Sequence, residues 1–316
     1  MISRRNIRIK VMQTLYALES VEQPSETPAA GPRRHADPAR ILQHHLDQTS
    51  QLFIYLLYNI AQVALYAETD AQIRSSKHLP SQDDLNVNTK IAGNDYLWQL
   101  LSEQGFQHKA EEMHCAQLAD KGLIKKLYLQ LARSESYKEY TGTLERTPAE
   151  EKKIISYLFN ELLMKSEAFG QHLEDHFLHW DDDREMMSVL VNNYFHKPRL
   201  FNFLQLISAE KLEYARNLLQ TVLDKRDYCL SLIRPRLQNW DPERIAAVDM
   251  LLMEMGICEF LYFPTIPTKV TINEYIDLAK VYSTPQSGHF VNGILDNILK
   301  DPATAQKIRK AERSGK

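Results

Sequence analysis

The first stretch of the chain combines a regular apolar pattern with a basic side. Its apolar residues recur at steps of three and four positions, at Ile7, Val11, Leu15 and Leu18. This spacing predicts a helix over residues 2–18 with one buried face. Arg4, Arg5 and Arg8 fall on the other side, so the pattern predicts an amphipathic helix with a cationic outer face.

The longest apolar run, residues 40–74, predicts a long buried helix. Its most apolar part, residues 52–67, is interrupted by Asn59 and Gln62. Because a spanning helix needs about 20 apolar residues, we interpret this run as a core helix and not as a membrane segment. Before it, residues 22–38 hold four prolines among small polar residues. That composition breaks helices and predicts a mobile, protease-sensitive linker.

The rest of the chain also reads as helices joined by turns. Helical patterns cover residues 95–133 and 147–179, and the acidic run 181–183 predicts the start of another helix. A long helix is expected from Ser208 to near Pro235, and Thr271 with Glu274 fits a capping box at a helix start. Only 10 of the 316 residues are glycine and no segment reads convincingly as a strand, so the predicted fold class is all-α.

This pattern predicts three parts in the chain. Residues 1–20 and 181–316 should form one helical bundle, because the apolar face of the first helix needs partners to cover it. Residues 21–39 are the proline-rich linker. Residues 40–180 contain apolar helices of their own, so we expect an inserted helical region packed on the bundle. A structureless segment of that length would be unusual in a compact protein.

Charge and cysteine content narrow the class of protein. With 38 basic and 41 acidic residues the formal net charge is −3, yet the first 20 residues hold four basic residues against one acid. The three cysteines are far apart and form no CxxC pair. This disfavours a disulfide framework and predicts a reducing, cytoplasmic location. No apolar signal segment follows the basic start, which predicts a protein that is not secreted.

Candidate catalytic chemistry is sparse. His172, His176 and His179 share one helical face and could hold a metal, although a solvated histidine face is the commoner meaning of such spacing. Glycine-rich phosphate loops and the nucleophile elbow do not occur in the sequence. We therefore predict a non-enzymatic protein with no cofactor. The cationic first helix, with Tyr16 two turns beyond Arg8, either binds RNA phosphates and bases or forms a solvated face.

Two later stretches of the chain carry a specific pattern. Residues 270–280 read VTINEYIDLAK and residues 290–296 read FVNGILD. They resemble the signature V-x-INE-x-I-x-LAK followed by FVNG-x-LD of the NusB family of bacterial transcription antitermination factors. The start of the chain, with its three arginines and QTLY at residues 13–16, resembles the family's arginine-rich beginning. The compact family form lacks a counterpart of residues 21–180.

The resemblance implies an all-helical bundle that pairs with NusE, a ribosomal small-subunit protein. The pair would bind single-stranded boxA-type RNA of ribosomal RNA leaders and act in an RNA polymerase antitermination complex that regulates transcription termination. The implied RNA contacts are Arg4, Arg5, Arg8, Tyr16, Gln286 and Phe290, and the implied NusE contact is Asp249. Gln286 and His289 stand where family members commonly carry an acid and a basic residue.

Two other functions fit the same sequence. The first is a NusB-fold interaction scaffold without RNA affinity, which the net charge and Gln286 leave open. The second is an accessory domain of a ribosomal RNA methyltransferase, but this sequence carries no Rossmann-type cofactor loop. The inserted part is either an added partner surface or a stabilising appendage. The sequence is compatible with both a monomer and a homodimer.

The FVNG stretch also makes a packing prediction. A glycine inside a helix costs about 1 kcal/mol relative to alanine. We therefore expect another helix to pack closely against Gly293.

Overall fold

The computed structural model describes residues 2–22, 37–237, 245–308 and 310, and these are the described residues below. They fold into helices joined by short turns, and no strand occurs among them. This confirms the predicted all-α class. Most of the predicted linker, residues 23–36, lies outside the described residues. The mobility and protease sensitivity of the linker therefore stay predictions.

The chain packs as two compact units. We call residues 2–46 with 207–316 the terminal unit, and residues 47–206 the middle unit. The long helix α2, Pro38–Ser75, begins in the terminal unit and continues into the middle unit.

Besides the start of α2, the described α-helices of the terminal unit are α1 (Arg4–Glu22), α12 (Ala209–Ile233), α13 (Ala247–Tyr262), α14 (Thr268–Tyr282), α15 (Ser287–Lys300) and α16 (Pro302–Ala305). The unit is built around α13, whose side chains are buried almost along its whole length. Helices α1, α12, α14 and α15 pack against α13, and α1 also packs on α12, as the need to cover the apolar face of α1 predicts.

The middle unit consists of shorter helices around the apolar part of α2. Leu56, Leu57, Ile60 and Val63 of α2 are fully buried, which confirms the core-helix interpretation of residues 52–67. Its other helices are α3 (Gln82–Leu85), α4 (Asp95–Ser102), α5 (Gln104–Glu112), α6 (Cys115–Leu118), α7 (Lys121–Arg133), α8 (Glu135–Gly142), α9 (Pro148–Tyr157), α10 (Glu167–His176) and α11 (Trp180–His196). Among the described residues, no helix is long and apolar enough to cross a membrane.

One predicted helix is in fact two. The pattern over residues 147–179 predicts a continuous helix, but α9 passes into a π-helical turn at Leu158–Leu163 and α10 begins at Glu167. The hydroxyl of Ser166 accepts a hydrogen bond from the Phe169 amide and caps α10. Apolar periodicity continues through this break because both helices bury the same kind of residue, so the pattern alone does not reveal it.

Candidate nucleic-acid interface

Of the three arginines on α1, Arg8 is buried in the terminal unit. Only 2% of its surface is exposed. Its Nε and Nη2 donate to the two carboxylate oxygens of Glu259 on α13 at 2.7 and 3.1 Å, and its Nη1 lies 3.3 Å from an oxygen of Glu274. The guanidinium also lies over the Tyr275 ring, 5.7 Å from its centroid. Arg8 therefore fixes α1 onto the bundle.

The carboxylate of Glu259 is the centre of a satisfied buried network. Besides Arg8, it accepts hydrogen bonds from the hydroxyls of Tyr214, Tyr275 at 3.0 Å and Thr271 at 2.9 Å. Burial disfavours the charged form of Arg8, but the bonds to Glu259 outweigh it, so the pKa of Arg8 lies above its usual value. A buried carboxylate with this many donors is stable only while all of them stay in place.

Arg4 and Arg5 lie at the surface of the same unit. The Arg4 guanidinium pairs with the exposed carboxylate of Glu210 at 2.5 Å. A terminal nitrogen of Arg5 lies 3.9 Å from carboxylate oxygens of both Glu274 and Asp277. Exposed ion pairs of this kind contribute about 0–1 kcal/mol. Both arginines can therefore exchange these partners for phosphate groups.

Tyr16 is 48% exposed at the far part of α1. Tyr16 lies eleven positions after Arg5, which places the two on the same side of the helix about 17 Å apart. Ile9 and Met12 lie between them on that side and are buried. The structure therefore leaves Tyr16 exposed but does not bring it next to the arginines.

Asp249 of α13 holds the start of α15. Its Oδ2 accepts a hydrogen bond of 2.7 Å from the Ser287 hydroxyl, and only 5% of the residue is exposed. The Ser287 hydroxyl is also 2.8 Å from that of Thr284 and accepts a bond from the Thr284 amide. The implied partner residue is thus largely covered, and it sits beneath the turn that carries Gln286.

The outer face of α15 presents the other two implied RNA residues together. Gln286 is exposed and Phe290, four positions later, is half-buried, so they are neighbours on one helix face. Gly293 follows Phe290 by three positions, and a Cβ there would meet no atom within 4 Å. The α15 surface at Gly293 is therefore open among the described residues. The prediction that a helix packs against Gly293 is wrong.

Comparison with known proteins decides the family. The NusB family model matches residues 196–300. The transcription antitermination protein NusB of Finegoldia magna is 33% identical over 112 residues, which is 35% of this chain and 82% of that protein. The chain belongs to the NusB family. The NusB proteins of Salinibacter ruber and Listeria monocytogenes are 39% and 33% identical over 101 and 96 residues.

The family relationship covers part of each chain. The match with the Salinibacter protein spans 32% of this chain and 63% of that protein. The match with the Listeria protein spans 30% of this chain and 75% of that protein. No solved structure matches. Within this NusB-family chain the residues of α1 lie before the range that the family model matches. Their place in the bundle follows from the packing of α1 on α12 and α13.

The two halves of the predicted capping box have different roles in this NusB-family fold. Helix α14 begins at Thr268, with Pro267 as its N-cap, so Thr271 and Glu274 lie inside the helix. Thr271 donates to Glu259, and Glu274 faces Arg5 and Arg8. The capping box is wrong because Pro267 already starts the helix one turn earlier. The acid of the INE motif connects α14 to α1.

The prediction that three histidines share one helical face is wrong, because α10 ends at His176 and His179 is the residue before α11. The two histidines of α10 form hydrogen bonds. The Tyr55 hydroxyl lies 2.6 Å from Nε2 of His172, and Nδ1 of His176 lies 2.8 Å from the His172 carbonyl oxygen. Burial, with His176 nearby, lowers the pKa of His172. In the part of the chain that is described, no group of three or more possible metal ligands comes together.

Sequence reasoning missed Glu259, the acid that organises the site. A signal was present, because Glu259 stands in the stretch MGICEFLY, where nearly every neighbour is apolar. An ionisable residue in such a stretch has to be paired when the helix is buried. Its partner Arg8 is 251 positions away, and no local pattern identifies it.

Proposed function

We propose that this NusB-family chain is a transcription antitermination factor that binds single-stranded boxA-type RNA together with a NusE-type ribosomal protein, in the cytoplasm. The names of its relatives, which are transcription antitermination proteins, support this role. The observation that carries the proposal is the difference in burial and pairing among the three arginines of α1. Arg8 is committed to Glu259, while Arg4 and Arg5 are partly exposed and pair with carboxylates near the surface, and the Arg4 guanidinium also lies over the Tyr214 ring.

In this proposal RNA phosphates replace the carboxylates around Arg4 and Arg5. A guanidinium binds phosphate through two parallel hydrogen bonds, and the weak surface pairs of these arginines offer little opposition. Phe290 and Tyr16 would provide ring faces for unstacked bases, and the Gln286 amide could reach a base edge. Arg8 belongs to this site as a positioning residue that keeps α1 in place.

The partner side of the proposal includes the turn before α15. Asp249 is largely covered, so we propose that it acts by fixing this turn through Ser287, and that the partner protein contacts the exposed residues above it. RNA polymerase would be engaged through that assembly. Residues 40–180 are proposed to be an insertion relative to the compact family form.

The test measures RNA affinity of the full chain as a function of salt. Arg4→Gln/Arg5→Gln should weaken binding to a boxA RNA and reduce the salt slope by about 0.7 for each lost phosphate contact. Phe290→Leu should cost about 1–3 kcal/mol of binding by removing a stacking ring. Measurements with and without the NusE-type protein, on boxA and on a scrambled oligomer, show whether the two bind as a pair.

A protein-interaction scaffold is the second candidate, and one observation favours it. Each exposed arginine of α1 already faces an acid, namely Glu210 for Arg4 and Glu274 with Asp277 for Arg5. These acids weaken the positive potential that attracts RNA. If the full chain binds the NusE-type protein but neither RNA, and Arg4→Gln/Arg5→Gln changes nothing, the scaffold is correct.

A further inference from the structure

An open groove of about 580 Å³ lies in the middle unit, away from every residue assigned above. One wall is formed by Tyr96 and Gln99 of α4 and another by Pro148 at the start of α9. The third is the turn after α11, which carries Lys197 and Arg199. A volume in the range of a few hundred cubic ångströms suits one small-molecule-sized group.

Buried hydrogen bonds hold the walls of the groove in place. The Asn94 side chain caps α4 by accepting from the Tyr96 amide at 3.0 Å, and it donates to the Glu151 carbonyl oxygen of α9 at 2.9 Å. The Glu151 carboxylate, fully buried, accepts from the Asp95 amide at 2.9 Å. These bonds join α4 to α9, so the position of Tyr96 is fixed relative to Pro148.

The third wall is tied to the others by a cation. Lys152 of α9 lies 2.7 Å from Nδ1 of His196, the last residue of α11. With Lys152 donating, Nδ1 is the acceptor and the ring proton is on Nε2. The turn that follows, Pro198–Leu200, is a short 3-10 helix. The groove is therefore preformed, and little ordering is needed to fill it.

The groove carries unused positive charge. Lys197 and Arg199 are exposed, and within the described part of the chain neither forms an ion pair or a side-chain hydrogen bond. Asp95 provides one carboxylate, and Lys152 adds a third cation at the His196 side. The excess of cations favours an anionic occupant.

The remaining wall is suited to a flat group. Tyr96 is half-buried, so its ring is fixed yet reachable, and Gln99 lies three positions later on the same helix face. A base can stack on the ring of such a tyrosine, and an amide can both donate to and accept from a base edge. An acidic peptide would use the cations but would have no need of the ring and the amide.

We propose that this groove binds one nucleotide of a single-stranded RNA. The phosphate lies between Lys197 and Arg199, and the base lies against Tyr96 with Gln99 at its edge. This site goes beyond the proposed function, because it is in the middle unit and shares no residue with the interface on α1 and α15. It assigns an RNA-contacting role to a surface whose Tyr96 and Gln99 belong to the part of the chain without a counterpart in the compact family form. Its Lys197 and Arg199 lie at the start of the range that the NusB family model matches.

The experiment uses the full chain and a fluorescent, thiouridine-substituted RNA strand of about ten nucleotides. Photocrosslinks are mapped to peptides, and affinity is measured at several salt concentrations. We expect crosslinks at residues 95–99 and 196–200. Lys197→Gln/Arg199→Gln should remove them and lower the salt slope by about 0.7 for each lost phosphate contact.

Three further variants separate stacking from charge. Tyr96→Leu leaves an apolar side chain but removes the ring, and should weaken affinity by between about fivefold and a hundredfold, while Tyr96→Phe should not. Lys138→Gln/Lys165→Gln is the charge-matched control, since these exposed lysines already pair with Glu135 and Glu161. It should leave the crosslinks in place. Unfolding curves confirm that every variant is folded.

Several outcomes would overturn the proposal. Crosslinks confined to residues 2–22 and 286–297 would leave the α1 interface intact and remove the groove, so the two proposals fail separately. Uridine monophosphate that competes as strongly as the strand would assign the groove to a free nucleotide. Polyglutamate that competes equally well, with Tyr96→Leu without effect, would assign it to an acidic protein.

Discussion

Arg8 and Arg5 are three positions apart on α1, yet their surroundings predict opposite results on substitution. Arg8→Ala should lower the free energy of unfolding by about 3–5 kcal/mol, because it leaves the Glu259 carboxylate buried without its cation. Arg5→Ala should change it by less than about 1 kcal/mol, since its pairs are exposed. Denaturant unfolding of the full chain measures both. Equal effects of the two variants would contradict the assignment of Arg8 as an anchor.

Glu254 predicts a pH dependence of stability in the terminal unit. It is 1% exposed, and its Oε2 lies 3.8 Å from Nε of Arg226. Burial raises its pKa to about 7, although Arg226 opposes this and Glu19 adds to it. The ordinary value is 4.5, so between these two values the folded chain keeps a proton that the unfolded chain releases. Stability therefore falls as pH rises through this window.

The variant Glu254→Gln isolates this contribution. Its free energy of unfolding should exceed that of the unsubstituted chain above about pH 7 by on the order of 3 kcal/mol, and the difference should shrink towards about pH 4.5. Urea unfolding across that range measures it. The difference between the two proteins cancels the contribution of other carboxylates. A difference that does not change with pH would show that Glu254 is ionised throughout.

At the scale of the element, the glycines of α13 and α15 differ in what an added methyl group meets. A Cβ at Gly288 would lie 2.8 Å from Cγ of Lys280, and one at Gly256 would lie 3.1 Å from both terminal carbons of Leu295. These two glycines allow α15 to approach α14 and α13. Gly293 faces open space, so its lack of a side chain serves no packing against the described residues.

Alanine substitutions should therefore change the stability of α15 in opposite directions. Gly293→Ala should raise the free energy of unfolding by about 1 kcal/mol through helix propensity alone. Gly288→Ala should lower it by on the order of 1 kcal/mol or more, because Lys280 has to move. Thermal unfolding gives the sign of each change. A destabilised Gly293→Ala would mean that the helix is packed at that position.

The whole molecule has two cores, and this predicts where damage spreads. Arg8→Ala should increase deuterium uptake in α1, α12, α13 and α14, whose side chains meet at the Glu259 network. Peptides of α4, α7 and α9, which belong to the middle unit, should keep their protection. Hydrogen exchange with mass spectrometry measures the deuterium uptake of each unit separately. A uniform rise through both units would show that they unfold as one cooperative body.

Much of the architecture follows from local sequence. The apolar spacing of α1 and α2, the scarcity of glycine and the acidic start of α11 predict helices that the structure contains. The INE and FVNG motifs predict the family, which the comparisons confirm. Each of these signals arises between residues within a few helical turns of one another, where periodicity and capping act, so the amino-acid sequence is sufficient to reveal them.

Only the tertiary structure decides which residues of a motif are available. Arg4, Arg5 and Arg8 look alike in the sequence, but Glu259, 251 positions from Arg8, withdraws one of them from the surface. In the same way, Asp249 accepts a hydrogen bond from Ser287, which is 38 positions later in the chain, and the open space at Gly293 depends on how the other helices pack. Burial and pairing depend on residues that are distant in the chain. Sequence periodicity determines the helices here, whereas their packing decides which side chains remain exposed for binding.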